Sequence, residues 1–374
     1  MQPLKIVCDE NIAYAQEAFS TIGEVTLSPG RTISREMLMD KDILITRSIT
    51  QVNKALLDGT SVKFAGTATI GTDHVDIEWL EEQGIGFTDA KGCNADAVAE
   101  YVLSVISRIL AEQKRNFSDT SIGIVGHGNI GSRVERLAKA AGMLPFLNDP
   151  PKAIMSGGTG YVSLKEALAC DIITFHTPLE KESDFPTWHL LHEGMIQYIR
   201  PGTIIINASR GEVTDSRTLH RLYHEKKAVI ILDVWENEPF PDPDMLQICR
   251  FASPHTAGYS ARGKVNGTAM VYTNACEFFG LQPSWKVVYP EAPKIKLPPS
   301  SDEITPAYLY SVTRLLDHLD EDTSLMKKLI PLDMEKRGNA FDLLRKNYRL
   351  RFEFRDYTSP DPFLRYLGFG APQS

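Results

Sequence analysis

Cysteine is scarce in this chain. There are five, an odd number, widely spaced and without a C-x-x-C pair. That excludes a disulfide framework and a zinc-ribbon site, and it suits a reducing cytoplasm, where we expect the protein. No other metal-ligand constellation is visible, so no metal is expected. An excess of positive charge is also missing. Forty Lys and Arg stand against 48 Asp and Glu, for a net charge of −8 and a pI of about 5.7. Such a balance argues against a nucleic-acid partner. No apolar run approaches the roughly 20 residues of a membrane span, and the start of the chain has no charged-then-apolar leader pattern, so no membrane partner is expected. Internal repeats and low-complexity tracts are absent. What remains is an ordinary globular composition, 43% hydrophobic and 24% charged, in 374 residues, enough for two or three domains.

The most informative stretch is 120–149, T-S-I-G-I-V-G-H-G-N-I-G-S-R-V-E-R-L-A-K-A-A-G-M-L-P-F-L-N-D. Residues 122–125 read as a buried parallel strand. Gly126-His127-Gly128-Asn129-Ile130-Gly131 follows at once, and Val134, Leu137, Ala138 and Ala141 then share one helical face. A second strand, 144–147, ends at Asn148-Asp149. Each glycine has a reason. Gly126 permits the turn out of the strand, Gly128 lets backbone approach a pyrophosphate, and Gly131 lets helix and strand pack closely. The helix N-terminus offers free N–H groups to phosphate. Asp149 stands where a carboxylate accepts from the adenosine ribose hydroxyls and repels a 2′-phosphate, so the expected cofactor is NAD rather than NADP.

Around this stretch the pattern alternates strands and helices, which implies mostly parallel sheets covered on both faces. Strands are expected at 5–8, 24–27, 43–46 and 63–66, with helices at 11–21, 53–57 and 74–83. A long helix, 94–116, leads into the nucleotide-binding part. There, strands are expected at 171–175, 202–207, 229–233 and 251–253, and helices at 163–168, 192–198 and 216–225. Another long helix, 260–279, precedes a proline-rich linker, 283–306. The tail carries helical patterns at 308–319 and 341–348 and a strand at 350–354. It is too small to bury much alone, so it is expected to pack on another surface, most simply a second copy of the chain.

Three strand ends carry polar loops: Asn207-Ala208-Ser209-Arg210-Gly211, Asp233-Val234-Trp235-Glu236-Asn237-Glu238-Pro239 and Ser253-Pro254-His255-Thr256-Ala257-Gly258-Tyr259. Ligands of open α/β sheets sit beyond the carboxyl ends of the strands. A guanidinium there clamps a carboxylate with two hydrogen bonds. An imidazole takes a hydroxyl proton as hydride leaves the same carbon. A carboxylate behind the imidazole fixes its orientation and favours its protonated form. Taken singly, Arg210 serves equally as a salt-bridge residue, Glu238 as a surface acid and His255 as a structural histidine; their joint placement on one sheet edge sets them apart. In the first part of the chain, Ser48 and Thr69 also follow strand ends, and read by themselves they cap turns.

N-A-S-R-G, D-V-W-E-N-E-P and S-P-H-T-A-G-Y, following G-H-G-N-I-G, resemble the D-2-hydroxyacid dehydrogenase family over about residues 4–280. The resemblance implies a Rossmann-type doubly wound parallel sheet as NAD-binding domain (95–257). It also implies a smaller flavodoxin-like α/β substrate domain (1–94 plus 258–282) and a C-terminal α+β dimerisation domain (283–374). By resemblance, Arg210 binds the substrate carboxylate, Glu238 supports the histidine and His255 is the acid/base. Asp233 then contacts the nicotinamide end, Thr177 the cofactor, and Ala208, Ser209, Arg210 and Gly258 line its pocket, beside Gly126 to Gly131 and Asp149.

The elements V-x-D-E-N, R-S-x-T, G-T-A-T-x-G-T-D-H-V-D, G-C-N-A and L-R-K-N-Y are similar to one branch of that family. Its reaction is the NAD-dependent oxidation of 4-phospho-D-erythronate to 3-hydroxy-2-oxo-4-phosphooxybutanoate, in pyridoxal 5′-phosphate (vitamin B6) biosynthesis, by a homodimer joined through its C-terminal domain. That similarity makes Ser48, Thr69 and Tyr259 substrate contacts, against the capping role read from the residues alone. The alternatives are another D-2-hydroxyacid dehydrogenase, of 3-phosphoglycerate or glyoxylate/hydroxypyruvate type, and a non-catalytic NAD-sensing protein of the same fold. A phosphorylated substrate calls for cations beyond Arg210. Arg47 and, in the tail, Arg345, Lys346, Arg349 and Arg351 are candidates, though tail charges are more often a solvated face or a dimer rim. The loop 180–189 matches no motif and is assigned no role.

Overall fold

Strand after strand is a short aliphatic run, I-L-I-T, I-I-T-F, I-I-I-N or V-I-I-L, with nearly every residue buried. Runs of this kind need cover on both faces, and a parallel sheet between helices supplies it. The computed structural model describes residues 3–371. It has two compact units, Met1–Asn94 with Ser260–Glu291, and Ala95–Tyr259 with Ala292–Ser374.

The first unit runs β1 (Leu4–Asp9), α1 (Ala15–Phe19), β2 (Gly23–Ser28), α2 (Arg35–Leu38), β3 (Ile43–Thr46), α3 (Lys54–Leu57), β4 (Phe64–Thr67), α4 (Ile77–Glu82) and β5 (Gly86–Thr88). All pairings are parallel and the order is β2-β1-β3-β4-β5, the flavodoxin-like arrangement. Strand alternation divides the core in two. Ile6 and Cys8 face Phe19, Val271, Tyr272 and Cys276, while Val7 faces Leu38, Leu57, Trp79 and Leu80. The helix expected at 11–21 is cut short because Tyr14, just before α1, takes a left-handed φ of 58°. The one expected at 74–83 begins only at Ile77. Asp76 caps it by accepting from the Trp79 amide at 3.2 Å, and His74 is buried against Thr67 instead.

In the second unit follow α5 (Ala95–Gln113), β6 (Ser121–Val125), α6 (Asn129–Ala141), β7 (Leu144–Asn148), α7 (Pro150–Met155), α8 (Leu164–Leu168), β8 (Ile172–Phe175), β9 (Ile204–Asn207), α9 (Ser216–Lys226), β10 (Val229–Leu232), α10 (Pro243–Ile248) and β11 (Phe251–Ala252). The segment expected as a helix at 192–198 is a 3-10 helix, Glu193–Tyr198. Six parallel strands lie in the order β11-β10-β9-β8-β6-β7. The winding reverses between β6 and β8, and a doubly wound sheet binds ligands beyond that switch point.

The chain then gives α11 (Ala261–Phe278) to the first unit and α12 (Pro306–Thr313), α13 (Leu319–Lys327), α14 (Met334–Lys346) and α15 (Pro362–Tyr366) to the second. The tail packs on the nucleotide-binding part of its own chain. Leu309, Val312, Phe354, Leu364 and Phe369 join the core of α5 and α6, while Met326, Leu329 and Phe341 join that of Trp235 and Leu246. The strand expected at 350–354 is not formed among the described residues. Its polar groups pair elsewhere: the Phe354 amide donates to buried Glu100 at 3.0 Å, and the buried Arg351 guanidinium donates to the carbonyls of Ala97 and Ala257. Burial, reinforced by Glu353, pushes the Glu100 carboxyl well above the usual carboxylate range, with Arg351 opposing. No described helix is long and apolar enough to cross a membrane.

Candidate active site

The three fingerprint glycines meet three different constraints. Gly126 has φ of 90°, and a Cβ there would fall 2.7 Å from the His176 carbonyl carbon, so β6 turns directly against the end of β8. A Cβ on Gly131 would fall 2.0 Å from the Gly126 oxygen, which fixes the close seat of α6. At Gly128 a Cβ would meet nothing within 4 Å. That open position at the helix N-cap is where a pyrophosphate can approach backbone N–H groups. Next to Gly126, past the end of β8, the Thr177 hydroxyl is buried without a hydrogen-bond partner among the described residues, ready for a ligand's polar group. The residues present therefore fit a dinucleotide.

Asp149 ends β7. One oxygen accepts from the His127 amide at 2.9 Å and the other from the Lys152 amide at 3.1 Å, so it holds the fingerprint turn and caps α7 together. The His127 ring bridges Tyr161 Oη at 3.0 Å and Glu135 at 2.8 Å, and the Lys152 ammonium donates to the His127 carbonyl. Glu135, Lys152 and Tyr161 were not found by sequence reasoning. A missed signal was D-P-P at 149–151, a helix start with proline in its first turn.

Buried polar side chains pin the three loops that follow β9, β10 and β11. After β9, Asn207 donates to the Arg210 carbonyl at 2.8 Å and to Thr214 at 3.1 Å, and its oxygen accepts from the Ser209 amide at 3.1 Å and hydroxyl at 2.9 Å. Half-buried Arg210 donates to its neighbour Ser209's carbonyl at 2.9 Å. A Cβ on Gly211 would fall 2.0 Å from the Trp235 carbonyl carbon, so the first loop presses on the second. After β10, buried Asp233 gathers the third loop. Its Oδ1 accepts from the Ser253 hydroxyl at 2.7 Å and from the amides of Thr256 at 2.7 Å and Ala257 at 3.0 Å. Its carbonyl accepts from the His255 amide at 2.7 Å.

Glu238 accepts from the Trp235 amide at 3.0 Å through one oxygen and meets His255 Nδ1 at 2.8 Å through the other. Burial pushes its carboxyl up. The charges of His255 and Arg345 and the hydrogen bonds from His255 and Trp235 outweigh that, so it titrates below the usual carboxylate range. Asn237 and His255 both hold left-handed φ, 64° and 58°, a conformation disfavoured for side-chain-bearing residues that concentrates at functional sites. With Nδ1 taken by Glu238, Nε2 is the nitrogen left to exchange a proton.

Arg210, Glu238 and His255 thus follow β9, β10 and β11, neighbours in one sheet, while Gly126 to Gly131 and Thr177 follow β6 and β8 at the switch point. Ala208 and Ser209 are buried in the first loop, and Gly258 precedes Tyr259 in the third. Ser48 and Thr69 belong to the first unit, just past β3 and β4. Ser48 is exposed. Thr69 shares a 2.8 Å hydrogen bond with Thr67, whose hydroxyl also meets His74. Arg47 pairs with buried Asp9 at 3.0 Å. Among the described residues, His189, Asp215 and Glu236 place ligand atoms within 4.8 Å of one another. Their groups already serve the protein: Glu236 accepts from His189 and from Ser216 at the start of α9, and Asp215 caps α9 through Thr218. In the 180–189 loop, Thr187 ties the segment to the Pro178 carbonyl at 2.6 Å.

Residues 104–257 match the family described as D-isomer specific 2-hydroxyacid dehydrogenase, NAD binding domain. Over 354 residues, 94% of this chain and 93% of the relative, the sequence is 42% identical to erythronate-4-phosphate dehydrogenase of Hahella chejuensis. It is 40% identical to that of Proteus mirabilis over 378 residues, covering 98% and 99%. Among solved structures, NAD-bound 3-phosphoglycerate dehydrogenase of Entamoeba histolytica superposes with a TM-score of 0.62 at 25% identity, over 74% of this chain and 96% of that one. D-lactate dehydrogenase of Aquifex aeolicus, complexed with NAD and lactic acid, gives 0.59 at 22% identity over 74% and 96%, and shares the fold. With its two flavodoxin- and Rossmann-type parallel sheets and this sequence kinship over nearly its whole length, the chain belongs to the erythronate-4-phosphate dehydrogenase family of NAD-dependent D-2-hydroxyacid dehydrogenases.

Proposed function

We propose that this chain oxidises the C2 hydroxyl of 4-phospho-D-erythronate with NAD, giving 3-hydroxy-2-oxo-4-phosphooxybutanoate, a step of pyridoxal 5′-phosphate biosynthesis. The observation that carries the reading is the 2.8 Å His255–Glu238 pair on the sheet that also holds the dinucleotide fingerprint, in a chain 42% identical to a relative of that activity. Bound NAD supplies the hydride acceptor at the nicotinamide end. Arg210 clamps the substrate carboxylate and orients C2. His255 Nε2 takes the C2 hydroxyl proton as hydride leaves, and the adjacent Glu238 carboxylate stabilises the imidazolium that forms. Gly126 to Gly131 with Asn129 and Ile130 hold the pyrophosphate, and Asp149 the ribose. His127 orders that turn, and Thr177, Ala208, Ser209, Asp233 and Gly258 line the cofactor site. Ser48, Thr69 and Tyr259 are proposed substrate contacts.

The proposal extends to the assembly. Residues 1–94 with 258–282 form the substrate-binding domain, 95–257 the NAD-binding domain, and 283–374 the region through which two copies join in the cytoplasm. Sedimentation of the full chain tests the dimer: twice the mass of one chain is expected, and a monomer rejects it. For the reaction, kcat/KM is compared across 4-phospho-D-erythronate, 3-phospho-D-glycerate and D-glycerate with NAD or a 2-oxo acid as oxidant. The four-carbon phosphate should exceed the others by at least about 100-fold. Equal or reversed preference rejects the substrate.

A further inference from the structure

The phosphate end of the proposed substrate needs a cation that Arg210, committed to the carboxylate, does not supply. Four tail residues could offer one, and the structure separates them. Arg351 is buried, its guanidinium spent on the carbonyls of Ala97 and Ala257. Arg349 pairs with Glu321. Lys346 is exposed. Half-buried Arg345 has no carboxylate at ion-pair distance among the described residues; its guanidinium carbon lies 6.0 Å from the centre of the Phe341 ring.

Arg345 ends a helix laid along the catalytic loops. A Cβ on Gly338 of α14 would fall 2.5 Å from Cε1 of Phe240, two residues beyond Glu238, so the helix backbone rests on that ring. Ala340 and Leu344 pack into the core that contains Trp235. One turn past Arg345, the Tyr348 ring stands edge-on to Tyr259, centroids 5.8 Å apart at 83°, with its hydroxyl donating to buried Asp322 at 2.8 Å. The span 338–351 therefore touches the Glu238 loop at one end and the His255–Tyr259 loop at the other. The positive charge of Arg345 is felt at Glu238.

We propose that Arg345 is a substrate-specificity residue that binds the phosphomonoester of the hydroxy acid, and that Tyr348, through Tyr259, fixes the wall beside it. A half-buried, carboxylate-free guanidinium gives a dianionic phosphate two parallel charge-assisted hydrogen bonds and costs no existing ion pair. The tail that packs on the nucleotide-binding part thereby sets the length and charge of the acid accepted. This rests on the phosphorylated substrate proposed above.

The test compares wild type with Arg345→Gln and Arg345→Lys, with NADH affinity as the control for folding. For Arg345→Gln, KM for 4-phospho-D-erythronate and the competitive inhibition constant of inorganic phosphate should both rise about 10- to 100-fold, the worth of one charge-assisted interaction, with kcat within about threefold. Arg345→Lys should recover most of the loss. An unchanged KM overturns the proposal. So does a loss confined to kcat with a displaced pH profile, which would assign Arg345 to Glu238 alone. If wild type fails to turn over 4-phospho-D-erythronate, the functional reading falls separately. Calorimetric titration of the NADH-loaded protein with inorganic phosphate then decides the anion site: binding weakened in Arg345→Gln keeps it, and equal or absent binding in wild type rejects it.

Discussion

The two ends of the nucleotide-binding sheet's functional edge are built on opposite principles. At β6 and β8 glycine conformation shapes the turn, with a left-handed Gly126, an open Gly128, a tight Gly131 and a helix start, and the Asp149 carboxylate braces it. At β9, β10 and β11 it is made by side chains, with Asn207, Asp233 and Glu238 each tying one loop to itself or to the next. A site that binds a constant group, a pyrophosphate, can be written in local conformation. One that must move a proton needs charged groups whose positions and ionisation are set from several strands at once.

The largest effect that would sharpen this contrast is on chemistry. His255→Asn should lower kcat about 1,000-fold, the contribution of general acid–base catalysis, while NADH affinity measured by fluorescence stays within about threefold. Glu238→Gln keeps an acceptor for Nδ1 but removes the charge, and should cost about 10- to 100-fold in kcat by analogy with other partners that orient a histidine. Loss of NADH binding in either variant would break the division between the two ends. On the nucleotide side the glycines should part company. Gly131→Ala, with its Cβ 2.0 Å from the Gly126 oxygen, should lose about 1–3 kcal/mol of stability in denaturant titrations. Gly128→Ala should melt normally yet bind NADH about tenfold more weakly, because only the approaching pyrophosphate meets the new methyl.

Much of this contrast was legible beforehand. The fingerprint could be read because glycine spacing reports conformation directly, and the aliphatic runs gave the strands of the sheet. Short elements were less visible. Helices α7 and α10 have only six residues each, begun by Asp149-Pro150 and Asp242-Pro243. The position of Asp149 points to ribose, and nothing in the local pattern shows that its carboxylate also caps α7 and holds the fingerprint turn. The roles of Asn207 and of Asp233 Oδ1 lie in contacts between segments many residues apart, which no local pattern encodes. The apolar stripe of α5 gave no hint that Glu100 is buried beside it, accepting from the amide of Phe354, 254 positions away. With that distant pairing in place, the expected strand at 350–354 is replaced by irregular backbone that enters a 3-10 helix, Phe354–Asp356.

The smallest expected effect concerns the acid behind the loops that follow β10 and β11. Burial pushes Asp322 up to about 7, with Asp233 adding repulsion and the Tyr348 hydrogen bond opposing. A carboxyl raised in the folded state stabilises fully below its unfolded value near 3.8 and loses that contribution as pH climbs through about 7. Asp322→Asn keeps an acceptor for Tyr348. It should therefore gain about 1 kcal/mol on wild type between pH 5 and pH 6 in denaturant melts. A gain on going to lower pH would reverse the sign and remove the buried-acid account.

The most direct measurement follows the hydrogen at C2. With 4-phospho-D-erythronate deuterated at that carbon and NAD as oxidant, mass spectrometry of the reduced cofactor should find one deuterium per turnover in wild type, and turnover should collapse in His255→Asn. Deuterium released to water, or label transfer undiminished without the imidazole, would contradict hydride transfer driven by His255.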